Sequence, residues 1–307
     1  MLRHLIDIHD LSVEEIAALL RLGEDIIAKP GDYQDSAARK KLATLFFEPS
    51  TRTRLSFEAA MLDLGGSILG VASGDSSSAA KGESVADTIR TVQCYADIIA
   101  MRHPKEGAPL VAAKHATVPF INAGDGTRLH PTQTLTDLLT LHREFGQLHG
   151  LTIGLCGDLK FGRTAHSLIA GMARYPGVHF VLISPKELTV PDYVIDLINR
   201  HGATHEECRK MDGVIPKLDA LYMTRVQRER FFNEADYVRL KDSFILTPEK
   251  LRRAKTDMIV MHPLPRVNEI SVAVDDNPRA RYFDQVRYGK FIRMALILYL
   301  LGKDIKE

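Results

Sequence analysis

The 307-residue chain lacks most of the devices that mark a specialised protein class. Cysteine is scarce: Cys94, Cys156 and Cys208 are odd in number and far apart. They offer neither a disulfide framework nor a thiolate metal site, and a reducing cytoplasm suits them best. Charge of one sign is missing too. Forty Lys+Arg face 39 Asp+Glu, and a net charge of +1 gives no electrostatic case for a nucleic-acid or membrane-surface protein. The longest uninterrupted apolar run, Met294 to Leu301, falls far short of a bilayer span. The N-terminal MLRHLIDIHD is interrupted by charge where a signal peptide would be apolar. No G-x-G-x-x-G follows an apolar run, which disfavours a dinucleotide cofactor. No repeat or low-complexity tract is present beyond the small patch SGDSSSAAKG.

What is present is the balance of a globular enzyme, 45% apolar and 26% charged, at a length suited to two domains. Short apolar runs alternate with longer amphipathic segments. The first set is LATLFF (42–47), SILGV (67–71), DIIAM (97–101) and TVPFIN (117–122). The second is LTIGLC (151–156), VHFVLI (178–183), DALYM (219–223) and MIVM (258–261). Continuous rather than alternating runs suit parallel strands covered by helices. Over 132–146, Leu135, Leu138, Leu139, His142 and Phe145 share one helical face. The expected fold is α/β: two doubly wound parallel-sheet domains of four principal strands each, joined by helices, with the active site in the cleft between them. The expected division is 1–131, a bridging helix in 132–149, and 150–284. By its own pattern the apolar last helix, from about 285, could pack on either half.

Ligands of open parallel sheets bind beyond the carboxyl ends of the strands. Six runs end in polar, anion-seeking sequences: EPSTRTR, RHP, AGDGTRLHPTQ, GDLKFGRT, TRVQ and HPLPR. Together they suggest one cleft for an anionic ligand. In Glu48-Pro49-Ser50-Thr51-Arg52-Thr53-Arg54, Ser50 or Thr51 can cap a helix carrying Leu55, Phe57, Ala60 and Met61. The unpaired amides of its first turn, three hydroxyls and Arg52 make a phosphate cradle. GDLKFGRT (157–164) nearly spells a Walker A loop, but Arg163 stands where that loop needs Lys. We read it as a turn that presents Arg163 and Thr164 to a carboxylate or phosphate. His130 has no second His at metal spacing and no carboxylate at i+3 or i+4, so zinc is poorly supported. Arg102 and Arg225 directly follow runs and should reach the cleft. The two prolines of HPLPR stiffen a turn whose carbonyls can accept from a ligand N–H.

In order along the chain, FFEPSTRTRLSFE, MRHP, GDGTRLHPTQTLTDLL, GDLKFGRTAHS, YMTRVQRER and MHPLPRVNEI closely resemble the carbamoyltransferase family, and within it the aspartate branch. GKFIRMALI in the last helix agrees, so the resemblance spans essentially the whole chain. It implies transfer of a carbamoyl group from carbamoyl phosphate to L-aspartate, the committed step of pyrimidine synthesis, without a cofactor or metal. It implies that residues 1–131 bind carbamoyl phosphate, with 285–307 packed back on them, and that 150–284 bind aspartate. Ser50, Thr51, Arg52 and Thr53 would bind the phosphate. Thr53, Arg102 and His130 would surround the carbamoyl oxygen. Gln133 and the backbone at Pro263 and Leu264 would take the NH2 group. Arg52, Thr53, Arg102 and His130 are thus the catalytic set. Lys81, Arg163, Thr164, Arg225 and Gln227 would hold aspartate, with Ser77 and Lys81 inserted from the neighbouring subunit of a homotrimer. The substrates bring about four negative charges against five cations, a balance suited to charge-assisted pairing.

No activated Ser, Cys or Lys nucleophile is needed, because the substrate amine attacks directly. Phe161 departs from relatives that carry Tyr, and any hydroxyl-mediated contact there is lost. Glu48 is expected to pair with Arg163 and Arg230 when the domains close. The ornithine branch is the nearest alternative. It typically carries Cys in the loop matching HPLP and an acidic residue for a cationic side chain, whereas Arg225 and Gln227 suit a second carboxylate. A non-enzymatic carbamoyl phosphate-binding protein on two α/β lobes is a more distant one. No regulatory domain is evident, so any effector site is expected on another polypeptide, such as a separate regulatory chain.

Overall fold

A computed structural model describes residues 3–71, 82–226, 233, 238, 240 and 244–303. The chain divides into two compact units, residues 1–139 with 287–307, and residues 140–286. Ser77, Lys81, Gln227 and Arg230 lie outside the described residues.

The first unit runs β1 (His4–Leu5), α1 (Val13–Ala28), β2 (Lys41–Phe46), α2 (Thr51–Asp63), β3 (Ser67–Val71), α3 (Val85–Val92), β4 (Ile98–His103), α4 (Ala108–His115), β5 (Phe120–Asp125) and most of α5 (Pro131–Phe145). Ser12 and Glu15 form a capping box that starts α1. All strand pairs are parallel, in the order β1-β5-β4-β2-β3. The inner strands are buried nearly throughout, which is why they read as unbroken apolar runs. Ala43, Leu45, Ile99, Met101 and Phe120 build a core closed by Ile89 of α3 and Ala112 of α4.

The second unit continues with β6 (Thr152–Cys156), α6 (Arg163–Met172), β7 (His179–Ile183), α7 (Asp192–Arg200), β8 (Thr204–Cys208), β9 (Ala220–Met223), α8 (Pro248–Leu251) and β10 (Ile259–Met261). The last helix, α9 (Tyr282–Leu300), starts in this unit and ends in the first. The sheet is again wholly parallel, ordered β10-β9-β6-β7-β8. Val181, Leu221, Met223, Val260 and Tyr282 centre its core.

Each sheet has five strands, not four. The two additions are edge strands. β1 is only two residues long, and β8 reads THEEC, with no residue fully buried. An edge strand half open to solvent needs no apolar run, so neither left the expected signature. β4 extends past DIIAM to His103, so Arg102 lies inside the strand instead of following it. α9 begins at Tyr282, three residues ahead of the expected start. Among the described residues, no helix is long and apolar enough to cross a membrane.

Candidate active site

Both sheets reverse their direction of growth at one point. In the first, β3 lies on one side of β2 and β4 on the other; in the second, β7 and β9 flank β6 in the same way. The crevice beyond the carboxyl ends at such a switch point is where open α/β sheets bind ligands. The switch between β2 and β4 carries Glu48 through Arg52 and also Arg102. The switch between β6 and β9 carries 157–163 and Arg225.

In the first unit, Phe46 of β2 pairs with Arg102 of β4, and the Phe47 amide donates to the Arg102 carbonyl at 2.9 Å. That register brings Glu48 Oε2 within 2.7 Å of Arg102 Nη2. Arg102 is only 8% exposed, and its Nε has no hydrogen-bond partner among the described residues. Burial lowers its pKa from the ordinary arginine value, and Glu48 opposes that shift. Gly124, at φ +140°, makes room for it: a Cβ there would lie 3.0 Å from Arg102 Nη1 and 3.2 Å from its Cγ. Asn122, also buried, donates to the Ile6 carbonyl at 2.9 Å and accepts the Gly124 amide at 2.9 Å, fixing the end of β5.

Ser50 occupies the N-cap of α2, yet its hydroxyl makes no capping bond, contrary to the sequence reading. Its backbone, φ −158° and ψ 89°, departs from the extended conformation of the capping serines Ser12 and Ser84. The Ser50 hydroxyl therefore caps none of the first-turn amides, and the positive end of the helix dipole meets the β2 carboxyl end. Thr51 and Arg52 are exposed there, and Thr53 is buried. Leu55 faces outward at 58% exposure instead of joining the apolar face, which is left to Phe57, Ala60 and Met61.

His130 is buried directly before α5, and its carbonyl accepts the Gln133 and Thr134 amides. Gln133 Nε2 donates to Asp137 Oδ1 at 2.7 Å. Because a carboxylate accepts only, that bond fixes which end of the amide is which and turns Gln133 Oε1 away as an acceptor.

One contributor escaped the sequence reading. Arg293 of α9 is buried, stacks over Phe57 at 5.2 Å and donates to Ser56 Oγ at 3.0 Å, the Gly289 carbonyl at 2.9 Å and Thr132 Oγ1 at 3.4 Å. It ties the starts of α2 and α5 together. Burial lowers its pKa to about 10, against the attraction of Asp137, so it stays charged at neutral pH. An arginine within GKFIRMALI gives no local sign of this role, because Asp284, Arg287 and Lys290 on the same helix make one more charge inconspicuous.

In the second unit, Cys156 of β6 pairs with Met223 of β9, which sets the 157–163 turn beside Thr224 and Arg225. Gly157, at φ +121°, lets the chains touch: a Cβ would sit 2.1 Å from the Thr224 carbonyl. Thr224 Oγ1 donates to the Cys156 carbonyl at 3.1 Å, and buried Asp158 accepts the Phe161 amide at 3.0 Å. Arg163 and Thr164 open α6, half-buried, and Arg225 is half-buried after β9. His166 holds the turn from behind. Its Nε2 lies 2.7 Å from the Leu159 carbonyl and its Nδ1 2.9 Å from the Tyr193 hydroxyl, so Nε2–H donates and Nδ1 accepts. Burial lowers its pKa, which favours that neutral form. The adjacent strand β10 leads into His262, Pro263 and Leu264.

Each unit thus gathers its own part of the expected residues. Ser50, Thr51, Arg52, Thr53, Arg102, His130 and Gln133 belong to the first; Arg163, Thr164, Arg225, Pro263 and Leu264 belong to the second. The fold and these strand ends define an anion-handling enzyme built of two doubly wound α/β units. Residues 3–143 match the family described as aspartate/ornithine carbamoyltransferase, carbamoyl-P binding domain. Residues 149–300 match aspartate/ornithine carbamoyltransferase, Asp/Orn binding domain. The chain is 62% identical over 302 residues to the aspartate carbamoyltransferase catalytic subunit of Lachnoclostridium phytofermentans, covering 98% of each chain. Among solved structures, the catalytic subunit of M. jannaschii aspartate transcarbamoylase superposes with a TM-score of 0.91 at 43% identity, over 99% of both chains. Aspartate transcarbamoylase from Trypanosoma cruzi, in complex with carbamoyl phosphate and aspartate, gives 0.91 at 40% identity, over 96% of this chain and 95% of that one. The chain belongs to the aspartate/ornithine carbamoyltransferase family.

Proposed function

We infer that this chain transfers the carbamoyl group of carbamoyl phosphate to the α-amino group of L-aspartate, giving N-carbamoyl-L-aspartate and phosphate, the step that commits carbon to pyrimidines. The observation that carries the reading is the 62% identity, over nearly the full length of both chains, to a catalytic subunit of that name. The same relatives disfavour ornithine as acceptor.

The residue roles follow from the chemistry. The α2 amides with Ser50, Thr51, Arg52 and Thr53 take the phosphate. Thr53, Arg102 and His130 polarise the carbamoyl oxygen and stabilise the oxyanion that develops on it. Gln133 Oε1 and the Pro263 and Leu264 carbonyls accept from the NH2 group. Arg163, Thr164, Arg225, Gln227 and Lys81 hold the two aspartate carboxylates. Orientation of two anions for direct attack supplies much of the rate, and the departing phosphate accepts the amine proton.

We read the working form as a homotrimer in which Ser77 and Lys81 complete a neighbour's site. The outward-facing Leu55 and Leu62 of α2, with Tyr95 and Leu69 on the same unit, support an apolar contact surface. The unpaired cysteines fit a reducing cytoplasm.

Colorimetric assay for carbamoyl-aspartate against citrulline tests the reaction. Carbamoyl-aspartate alone is expected; citrulline, or no product, sinks the reading. Arg225→Ala should raise the aspartate concentration for half-saturation at least about tenfold, the loss of one charge-assisted bond. Normal saturation would refute the acceptor assignment.

A further inference from the structure

We propose that His262 and Glu269 are a positioning pair that fixes the 262–265 turn as an acceptor-only surface, and so selects a carbamoyl donor by its NH2 group. The proposal rests on the carbamoyltransferase reading and assigns work to two buried groups that the reaction itself does not use.

The two residues are 1% and 4% exposed. His262 Nδ1 accepts the Leu264 amide at 2.7 Å, and Nε2 lies 2.7 Å from Glu269 Oε1. A ring nitrogen that accepts carries no proton, so the proton is on Nε2 and is donated to the carboxylate. Glu269 Oε2 accepts the Val267 amide at 3.0 Å and the Asn268 amide at 3.1 Å. The His262 amide donates to Gln285 Oε1 at 2.9 Å. Two side chains therefore close the turn from both ends.

The consequence is chemical. Pro263 and Pro265 have no N–H, and the Leu264 N–H is taken by His262. Residues 263–265 have no backbone donor left to offer a ligand; only carbonyl oxygens remain. Such a surface favours an NH2 group and gains nothing from a methyl in its place. Leu264 is held at φ +53°, a conformation disfavoured for a residue with a Cβ. A backbone in that region persists where its surroundings over-determine it. The histidine–carboxylate pair supplies that determination.

The test compares wild type with His262→Asn and His262→Gln in the full-length enzyme. Asparagine can place its oxygen where Nδ1 accepts, whereas glutamine reaches the Nε2 position and loses the Leu264 bond. Readouts are KM for carbamoyl phosphate, the inhibition constant of acetyl phosphate, in which methyl replaces NH2, and the thermal midpoint. In His262→Gln, carbamoyl phosphate KM should rise about tenfold while acetyl phosphate inhibition changes less than about twofold. His262→Asn should stay within about threefold on both. Equal shifts on both ligands, or no shift on either, would overturn the proposal. Should His262→Gln fail to fold, Glu269→Gln is read by the same ratio: a changed ratio supports the pair and an unchanged one overturns it. Wild-type formation of carbamoyl-aspartate is scored separately, so loss of the reaction assignment is told apart from loss of this inference.

Discussion

Gly124 is where the backbone of β5 yields to a side chain of β4. Its φ of +140° is strained for any residue with a Cβ, and the Cβ would press on the guanidinium and stem of Arg102. Gly124→Ala should therefore affect folding and chemistry together. A loss of about 1–3 kcal/mol is expected in a urea unfolding titration, from backbone strain alone. Carbamoyl phosphate turnover should fall about tenfold or more, because a displaced Arg102 no longer meets the developing oxyanion. Wild-type kinetics in a folded Gly124→Ala enzyme would separate Arg102 placement from this contact. At this scale the sequence was informative about the arginines and the histidine, because their chemistry is visible in the residue type. It was silent on Gly124, since the reason for that glycine is a side chain on another strand. The Glu48–Arg102 ion pair was equally illegible, because the β2–β4 register is what brings the two side chains together.

Among the elements, α9 does more than fill the core. Its Arg293 holds Ser56 of α2 and Thr132 of α5, close enough to feel the charge of fully buried Asp137. Removing the cation takes away part of what offsets the buried Asp137 charge, a cost bounded by the about 3–5 kcal/mol of a broken buried ion pair. Arg293→Leu should lower the unfolding free energy from a urea titration by up to that margin, moving the midpoint down, and weaken carbamoyl phosphate binding in whatever fraction remains folded. An unchanged midpoint would mean that Asp137 is balanced through its other partners, including Gln133. The elements themselves were legible where burial was complete on both faces, as in β2, β4, β6 and β7. They were lost at the sheet edges, where β8 trades apolar residues for Thr, His and Glu. α5 lies between these cases. Leu135, Leu138 and Leu139 marked one stripe, but Thr132, Thr134, Thr136, Asp137 and Thr140 are buried as well. Buried threonines can donate back to the preceding turn, as Thr136 Oγ1 does to the Thr132 carbonyl at 2.9 Å. A helix that satisfies its polar groups in this way does not announce its burial through hydropathy.

For the whole molecule, the question is whether one chain holds a complete site. Arg52 belongs to the described first unit, whereas Lys81 lies in the serine-rich segment assigned to a neighbour. If each site takes Arg52 from one subunit and Lys81 from the next around a threefold ring, Arg52→Ala and Lys81→Ala trimers are each inactive at all three sites. Mixed trimers differ. Cyclic symmetry gives every mixed ring one interface where an intact Arg52 meets an intact Lys81, whichever parent contributes two chains. Random reassembly of equal amounts makes about three quarters of the rings mixed, so about a quarter of wild-type activity should return. The recovered activity should show the wild-type KM for both substrates, since the rescued site contains no substituted residue. Mixing verified by native mass, with activity still absent, would place Lys81 in the same chain's site or in none. Activity well above a quarter, from parents that are inactive alone, would contradict a ring with one intact site per mixed trimer, and the shared-site assignment would fall with it.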